Sequence, residues 1–321
     1  MDVNLDVICI GAALIDMVAQ VERHPKEDDE VFVSDLKLLS GGAAANTAYA
    51  CAKLGLHTAF LGKIGENDPF GRKIVQDFEE AKVNTSLLKF SKKYGTGSAY
   101  VALNQAADRR IYAHSGAANY LTKEDVIDEE LGSAKTIFLS SLKNLEPFIK
   151  AANLGKKNDI PIVLNPGMLI IDQGLDIIKH LLEKVDILIL SQNEFQSLFN
   201  LKSQILKKEL IQQEINFLFS LKIKVIIITL GKRGALILTE NESELISPID
   251  IKQVVDTTGA GDAFSAGFIY GFVRTLSFKF DELKEHVKLG NYVAGKCIQK
   301  LGARNGIPSG KLLKKSFPHL K

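Results

Sequence analysis

The segment Asp256-Thr-Thr-Gly-Ala-Gly-Asp-Ala-Phe264 sets backbone N–H groups and a carboxylate side by side, which is equipment for phosphoryl transfer. Ile251–Val255 before it ends in paired valines and reads as a short strand, whereas Ala263–Val273 is apolar nearly all round and reads as a buried helix. Gly259-Ala-Gly261 is then a strand-to-helix turn whose free N–H groups can face an anion, with no side chain in the way. Asp262 lies at the lip of that hole. A carboxylate there repels a resting phosphate, so its use would be towards a hydroxyl approaching the phosphate, as base or orienting group. The plain alternative is a glycine-rich turn whose Asp caps the helix.

Further polar groups fall at similar junctions. Ser40-Gly-Gly-Ala-Ala-Ala-Asn-Thr-Ala48 leads into a helix running to Leu54. Gly41 and Gly42 permit close approach of a ligand, and Asn46 offers a donor and an acceptor for a hydroxylated molecule. Asp16 lies just beyond the first strand, at the carboxyl edge where open α/β sheets bind ligands, and could grip a diol. Thr229-Leu-Gly-Lys-Arg-Gly-Ala-Leu236 puts a loop bounded by Gly231 and Gly234 at the same edge, or makes a hairpin turn. Two other stretches are misleading. Gly306-Ile-Pro-Ser-Gly-Lys-Leu312, in a polar tail, has the wrong spacing for a Walker A loop and no hydroxyl after Lys311. Ile10-Gly-Ala-Ala-Leu-Ile15 lacks the glycines of a dinucleotide turn, which disfavours a nicotinamide enzyme.

Apolar strands alternate with helical patterns along most of the chain. Val7–Ile10, Thr58–Lys63, Thr136–Leu139, Ile160–Asn165, Ile187–Ser191 and Val225–Leu230 read as strands, with Ala43–Leu54 and Gly71–Ala81 among the helices. Short runs of Ile, Val and Leu fit a parallel sheet covered on both faces. Met17–Leu39 and Gly95–Ser115 break the rhythm, the second holding two strands, Ser98–Leu103 and Arg110–His114, with no helix between. We expect one α/β domain, 1–321, with a small β-sheet lid from about 16–40 and 95–115.

Composition narrows the partners. With 321 residues, 46% hydrophobic, the chain can bury a large core, and its net charge of +2 points to neither nucleic acid nor membrane surface. No apolar run is long enough to span a bilayer, and the acidic opening Met1-Asp-Val-Asn is unlike a secretory leader. Cys9, Cys51 and Cys297 lie far apart without metal-ligand spacing, so core thiols in a reducing cytoplasm are expected. Six scattered histidines without HExxH argue against a zinc hydrolase.

Taken in order, Asp16, Gly41-Gly42 with Asn46, Thr229-Leu-Gly231 and Asp256-Thr-Thr-Gly-Ala-Gly-Asp262 closely resemble the ribokinase-like (PfkB) family of sugar and nucleoside kinases, over almost the whole chain. The resemblance implies a three-layer αβα core with a mostly parallel central sheet, a small β-sheet lid, and ATP- and Mg²⁺-dependent phosphorylation of a primary hydroxyl. It makes Asp262 the catalytic base and Gly259, Ala260 and Gly261 the anion hole. Asp16, Gly41, Gly42 and Asn46 would hold the acceptor. Asn193, Thr229, Gly231, Gly234, Gly261 and Asn291 would border the nucleotide. Asp256, Thr258, Gly302 and Gly306 match a monovalent cation site, which makes K⁺ an expected activator. Lid strands with free edges suggest a homodimer.

One departure concerns Mg²⁺. The family's Asn-x-x-Glu is here Asn193-Glu-Phe-Gln196, so the metal-associated glutamate is Gln196, with Glu194 nearby. A hydrated Mg²⁺ held mainly by phosphates tolerates the amide. Ribokinases usually carry Lys where Ala43 stands and Glu near Leu142, so a strict ribokinase is not expected. A neutral sugar ranks first as acceptor, a nucleoside second, and an acidic sugar reached by Arg109 or Arg110 third. A catalytically silent binding homologue is the rival from another class.

Overall fold

A computed structural model describes residues 5–104, 108–132, 134–201 and 211–318. In chain order the strands are β1 (Val7–Gly11), β2 (Leu14–Val21), β3 (Val33–Gly41), β4 (Thr58–Leu61), β5 (Lys63–Gly65), β6 (Lys89–Ser91), β7 (Thr96–Leu103) and β8 (Arg109–Gly116), then β9 (Ile137–Ser140), β10 (Ile162–Asn165), β11 (Ile187–Ser191), β12 (Val225–Thr229), β13 (Ala235–Leu238) and β14 (Ser243–Ile246). The helices are α1 (Ala43–Leu54), α2 (Pro69–Ala81), α3 (Asp128–Leu131), α4 (Glu146–Lys157), α5 (Gly167–Ile171), α6 (Leu175–Leu182), α7 (Gln192–Leu198), α8 (Gln212–Ser220), α9 (Ala260–Thr275), α10 (Phe280–Cys297) and α11 (Gly310–Ser316).

The main sheet runs in the order β14-β13-β12-β11-β10-β9-β1-β4. From β12 to β4 every pairing is parallel, and β13 and β14 extend the sheet antiparallel. Its strands are apolar on both faces because successive side chains point to opposite sides, each needing cover. Val7, Cys9, Ile187, Ile189, Val225 and Ile227 join the core under α1, α2, α9, α10 and α11. Their neighbours Ile8, Ile10, Leu188, Leu190, Ile226 and Ile228 join the core under α4, α6, α7 and α8. The result is a three-layer αβα body. α9 lies deepest, with every residue from Ala263 to Val273 buried, which is why its sequence carries no polar face.

The irregular stretches form a separate sheet ordered β3-β2-β7-β8. β2 pairs antiparallel with β3 and parallel with β7, and β7 pairs antiparallel with β8. Both outer strands carry exposed apolar side chains, Leu36 and Leu38 on β3 and Ile111 and Tyr112 on β8.

Three local expectations change. Ile251–Val255 forms no strand: Val254 and Val255 are exposed, and the N–H groups of Val255 and Asp256 donate to Ile298 O at the end of α10, so β-propensity yields to a helix terminus in need of donors. The run Thr58–Lys63 divides at Gly62, where Phe60 and the Gly11 carbonyl approach too closely for a side chain, and β5 leaves to pair with β6. The C-terminal segment is less of a tail than its polarity suggests, since Ser309 caps α11 and Leu313 is buried. All three cysteines are free and buried. Among the described residues no helix is long and apolar enough to cross a membrane.

Candidate active site

β1, β9, β10, β11 and β12 end at one edge of the sheet, and the first turn of α9 faces that edge. Gly259 precedes the helix in a left-handed conformation (φ 76°), and a Cβ there would lie 2.4 Å from the Ala303 side chain, so only glycine fits. Ala263 N donates to Gly259 O and starts the helical ladder, leaving the N–H groups of Gly261 and Asp262 as first-turn donors without an intrahelical acceptor. The space where a Gly261 side chain would stand is open. These donors and the positive end of the helix dipole suit a phosphoryl group.

Asp262 is the third residue of the helix, and its side chain does not cap the turn. It reaches across to α1 instead, where Asn46 Nδ2 donates to Asp262 Oδ2 at 2.9 Å. Asn46 sits one turn into α1, its N–H bonded to the carbonyl of Gly42, the residue that opens the helix. Asp16, on β2, lies against Gly41, where a Cβ would stand 2.2 Å from the Asp16 carboxylate oxygen. The fourth member of the cluster, Arg304, is 7% exposed and donates from Nε to Asn46 Oδ1 at 2.9 Å. Burial pushes Asp262 up to about 6, helped by the charges of Glu194 and Asp16 and opposed by the Asn46 hydrogen bond and Arg304. Burial likewise pushes Asp16 to about 6, against Arg304. Both carboxylates are therefore mostly ionised at neutral pH, yet more basic than a free aspartate, which suits a group that must accept a proton.

Asp256 fastens the approach to this turn. Its Oδ1 accepts from the N–H and hydroxyl of Thr258, at 2.9 and 2.7 Å, and its Oδ2 accepts from Gly302 N at 2.8 Å. Gly306 packs on the last carbonyls of α10, where a Cβ would lie 2.2 Å from Cys297 O. Three of the four residues expected at a cation site are thus joined by one carboxylate, with Gly306 ending the same loop.

The profile of the pfkB family carbohydrate kinases matches residues 4–310. The chain belongs to that family. Ribokinase of Staphylococcus aureus is 30% identical over 305 residues, 94% of this chain and 96% of its own. Deoxyribokinase of Salmonella typhi is 28% identical over 273 residues, covering 84% of this chain and 87% of its own. The structure of Arabidopsis thaliana ribokinase complexed with ribose and ATP matches with a TM-score of 0.85 at 27% identity, covering 98% of each chain. This pfkB kinase is accordingly a phosphotransferase with a hydroxyl group as acceptor, using ATP, and Mg²⁺ is general for its class.

Elsewhere along the sheet edge the pfkB residues play mixed parts. Thr229 ends β12 with its hydroxyl 3.4 Å from Leu190 O, and Gly231 to Arg233 form a 3-10 turn into the antiparallel β13, so the segment is both edge loop and hairpin. Gly231 is open to solvent space, whereas Gly234 is pressed on the Ile246 carbonyl. Asn291 is buried and spends its amide on the carbonyls of Ile246 and Ser247, at 3.1 and 3.0 Å, which ties α10 to the end of β14. At α7, Asn193 is exposed and Gln196 half-buried. Glu194 cannot stand in for the missing glutamate without undoing its helix: its Oε2 accepts from Ser191 N at 2.6 Å in a capping box. Among the described residues no three His, Cys, Asp or Glu side chains gather as a metal site. Arg109 is placed by its backbone alone, on β8 opposite Leu103. Arg304 was missed by sequence reasoning because a basic residue in a Gly- and Asn-containing loop reads as solvated; its nearness to the expected cation-site loop was the only sign.

Proposed function

We propose that this pfkB kinase transfers the γ-phosphoryl group of ATP to a primary hydroxyl of a small neutral sugar. The observation that carries the reading is the meeting of Asp16, Asn46 and Asp262 in front of the open first turn of α9. Asp16 and Asn46 would hold the acceptor's hydroxyls, with Gly41 and Gly42 leaving room for it. Asp262 would take the proton of the attacking hydroxyl late, once bonding to phosphorus is under way. The N–H groups of Gly261 and Asp262, with Gly259 and Ala260 shaping the turn, would neutralise the developing charge. Asn193 and Gln196 would lie near the Mg²⁺ of bound MgATP, which would supply the phosphoryl group to be transferred. Thr229, Gly231 and Gly234 would border the nucleotide, and Asn291 would act there only by holding the neighbouring loop.

The names of the relatives favour a pentose, while Ala43 and the buried Leu142 remove two polar groups expected of a ribokinase. Ribose and fructose therefore rank together, ahead of nucleosides. We also propose that K⁺ orders the loops joined by Asp256, that residues 16–40 and 95–115 act as a lid on a single domain, and that their exposed edge strands support a homodimer. Three buried free thiols and ATP chemistry fit a reducing cytoplasm.

The test is coupled ADP release with ATP, Mg²⁺ and K⁺ against ribose, deoxyribose, fructose, keto-deoxy-gluconate, adenosine, guanosine and cytidine. One strongly preferred sugar is expected. A folded, ATP-binding protein that releases no acceptor-dependent ADP with any sugar would refute the assignment, and preference for a nucleoside would replace it.

A further inference from the structure

We propose that Arg304 is a positioning residue that holds the Asn46 amide in the one orientation able to donate to Asp262 while keeping a second N–H for the acceptor. The inference rests on the reading of Asp262 as base, and its test can fail separately.

The two ends of an asparagine amide have nearly the same shape, so only their partners decide which end is oxygen. An arginine Nε–H can only donate, and it points at one end of Asn46 from 2.9 Å. That end must be the carbonyl. The other end, 2.9 Å from Asp262 Oδ2, is then the amino group, which an ionised carboxylate requires. Flipped, Asn46 would set its oxygen against the Asp262 carboxylate and its N–H groups against a guanidinium, losing two buried hydrogen bonds and gaining two repulsions. With Oδ1 occupied by Arg304 and one N–H by Asp262, the remaining N–H of Asn46 is free to donate to an acceptor oxygen.

Arg304 is placed for this task more than for ion pairing. Among the described residues its nearest carboxylate, Asp77, lies 3.8 Å from Nη1, and neither Nη1 nor Nη2 has a hydrogen-bond partner. The one well-made hydrogen bond of this buried cation goes to a neutral amide. The guanidinium lies over the rings of Tyr49 and Phe78, 5.0 and 5.7 Å from their centres, which fixes its plane. A flexible surface arginine could not enforce an amide orientation.

The test compares Arg304→Met, Arg304→Gln and Arg304→Lys, alone and in an Asn46→Ala background, with kcat and both KM values measured on the preferred acceptor. Glutamine's amide nitrogen stands as many bonds from the backbone as arginine's Nε, so it replaces the donor without the charge. Lysine keeps the charge and places a methylene there. Arg304→Met should lower kcat about ten- to a hundredfold, as misplaced groups do, with KM for ATP unchanged. Arg304→Gln should recover most of that loss and exceed Arg304→Lys, and Arg304→Met should cost little once Asn46 is alanine. A folded Arg304→Met with unaltered kcat, an equal loss in the Asn46→Ala background, or Lys outperforming Gln would each overturn the proposal. Should the Met variant not fold, the Gln against Lys order decides. An Asp262→Asn enzyme with undiminished kcat would unseat the base assignment while leaving the coupling between residues 304 and 46 to be read as before.

Discussion

Replacing Asp262 with Asn should slow the enzyme and stabilise it, and the two effects have one origin. Burial holds the carboxyl at about 6 against an ordinary 3.8. Between those values the folded chain binds more proton than the unfolded chain, so this residue's contribution to stability falls as pH rises, from fully present below 3.8 to fully lost above 6. The complete displacement corresponds to about 3 kcal/mol at about 1.36 kcal/mol per pH step. Asp262 is only half-buried, and its ionised form accepts a stronger hydrogen bond from Asn46 than an amide would, so a gain of about 1–2 kcal/mol at pH 8 is expected. For a chain of this size that raises Tm by roughly 1–3 °C. At pH 4, where the native carboxyl is already protonated and the unfolded one is partly so, most of the difference should be gone, and below about pH 3 it should vanish. Turnover should meanwhile fall by ~10²–10⁴ with both KM values nearly unchanged, as for a lost general base. Urea and thermal unfolding of both proteins at pH 4, 6 and 8, beside steady-state kinetics, read both effects. A stability gain that does not depend on pH, or a loss at pH 8, would refute the electrostatic account, and retained turnover would refute the role.

Since Asp16 and Asp262 both lie near 6 and must both be ionised, kcat/KM for the acceptor should fall on the acid side around pH 6, more steeply than one proton allows; a flat profile down to pH 5 would contradict this. Gly41→Ala puts a Cβ 2.2 Å from the Asp16 oxygen and should raise KM for the acceptor about tenfold or more while sparing KM for ATP, as loss of a charged hydrogen bond would. Gln196→Glu should lower the Mg²⁺ concentration for half-maximal activity several-fold, and an unchanged Mg²⁺ titration would remove this position from the metal's surroundings. Potassium should raise kcat relative to tetramethylammonium at equal ionic strength, and Asp256→Asn should abolish the difference.

The sheet was legible because its physics is local. Strands such as Ile187–Ser191 and Val225–Thr229 need cover on both faces, and no other arrangement satisfies a short, wholly apolar run between helices. The glycine turn before α9 was legible because Gly259 and Gly261 have few other uses before a buried helix. What stayed hidden depends on contacts remote in sequence. Val254 and Val255 carry the composition of a strand, but the carbonyl of Ile298 claims the backbone after Val254. Asn291 looked like a ligand group and is committed to two carbonyls of its own chain. Glu194 looked like a reserve for Gln196 and is the cap of α7. Arg304 had no marker beyond its place between Gly302 and Gly306, since burial of a charge is a property of the fold and not of the residue type.

The same helices that read as generic core set the geometry of the chemistry. α1 presents Ala44, Ala45 and Ala48 to the interior and α9 presents Ala263 and Ala266, small residues that let the two axes approach closely. Asn46 and Thr47 lie in that seam, one on the Asp262 carboxylate and the other with its hydroxyl 3.4 Å from the Asp262 carbonyl. The separation of amide and carboxylate is thus set by the packing of two helices. Two half-buried carboxylates in one site are unfavourable, and the alanine seam together with the buried guanidinium is what keeps them there. The interior of α1 and α9 therefore belongs to the candidate active site as much as the glycines at their ends do.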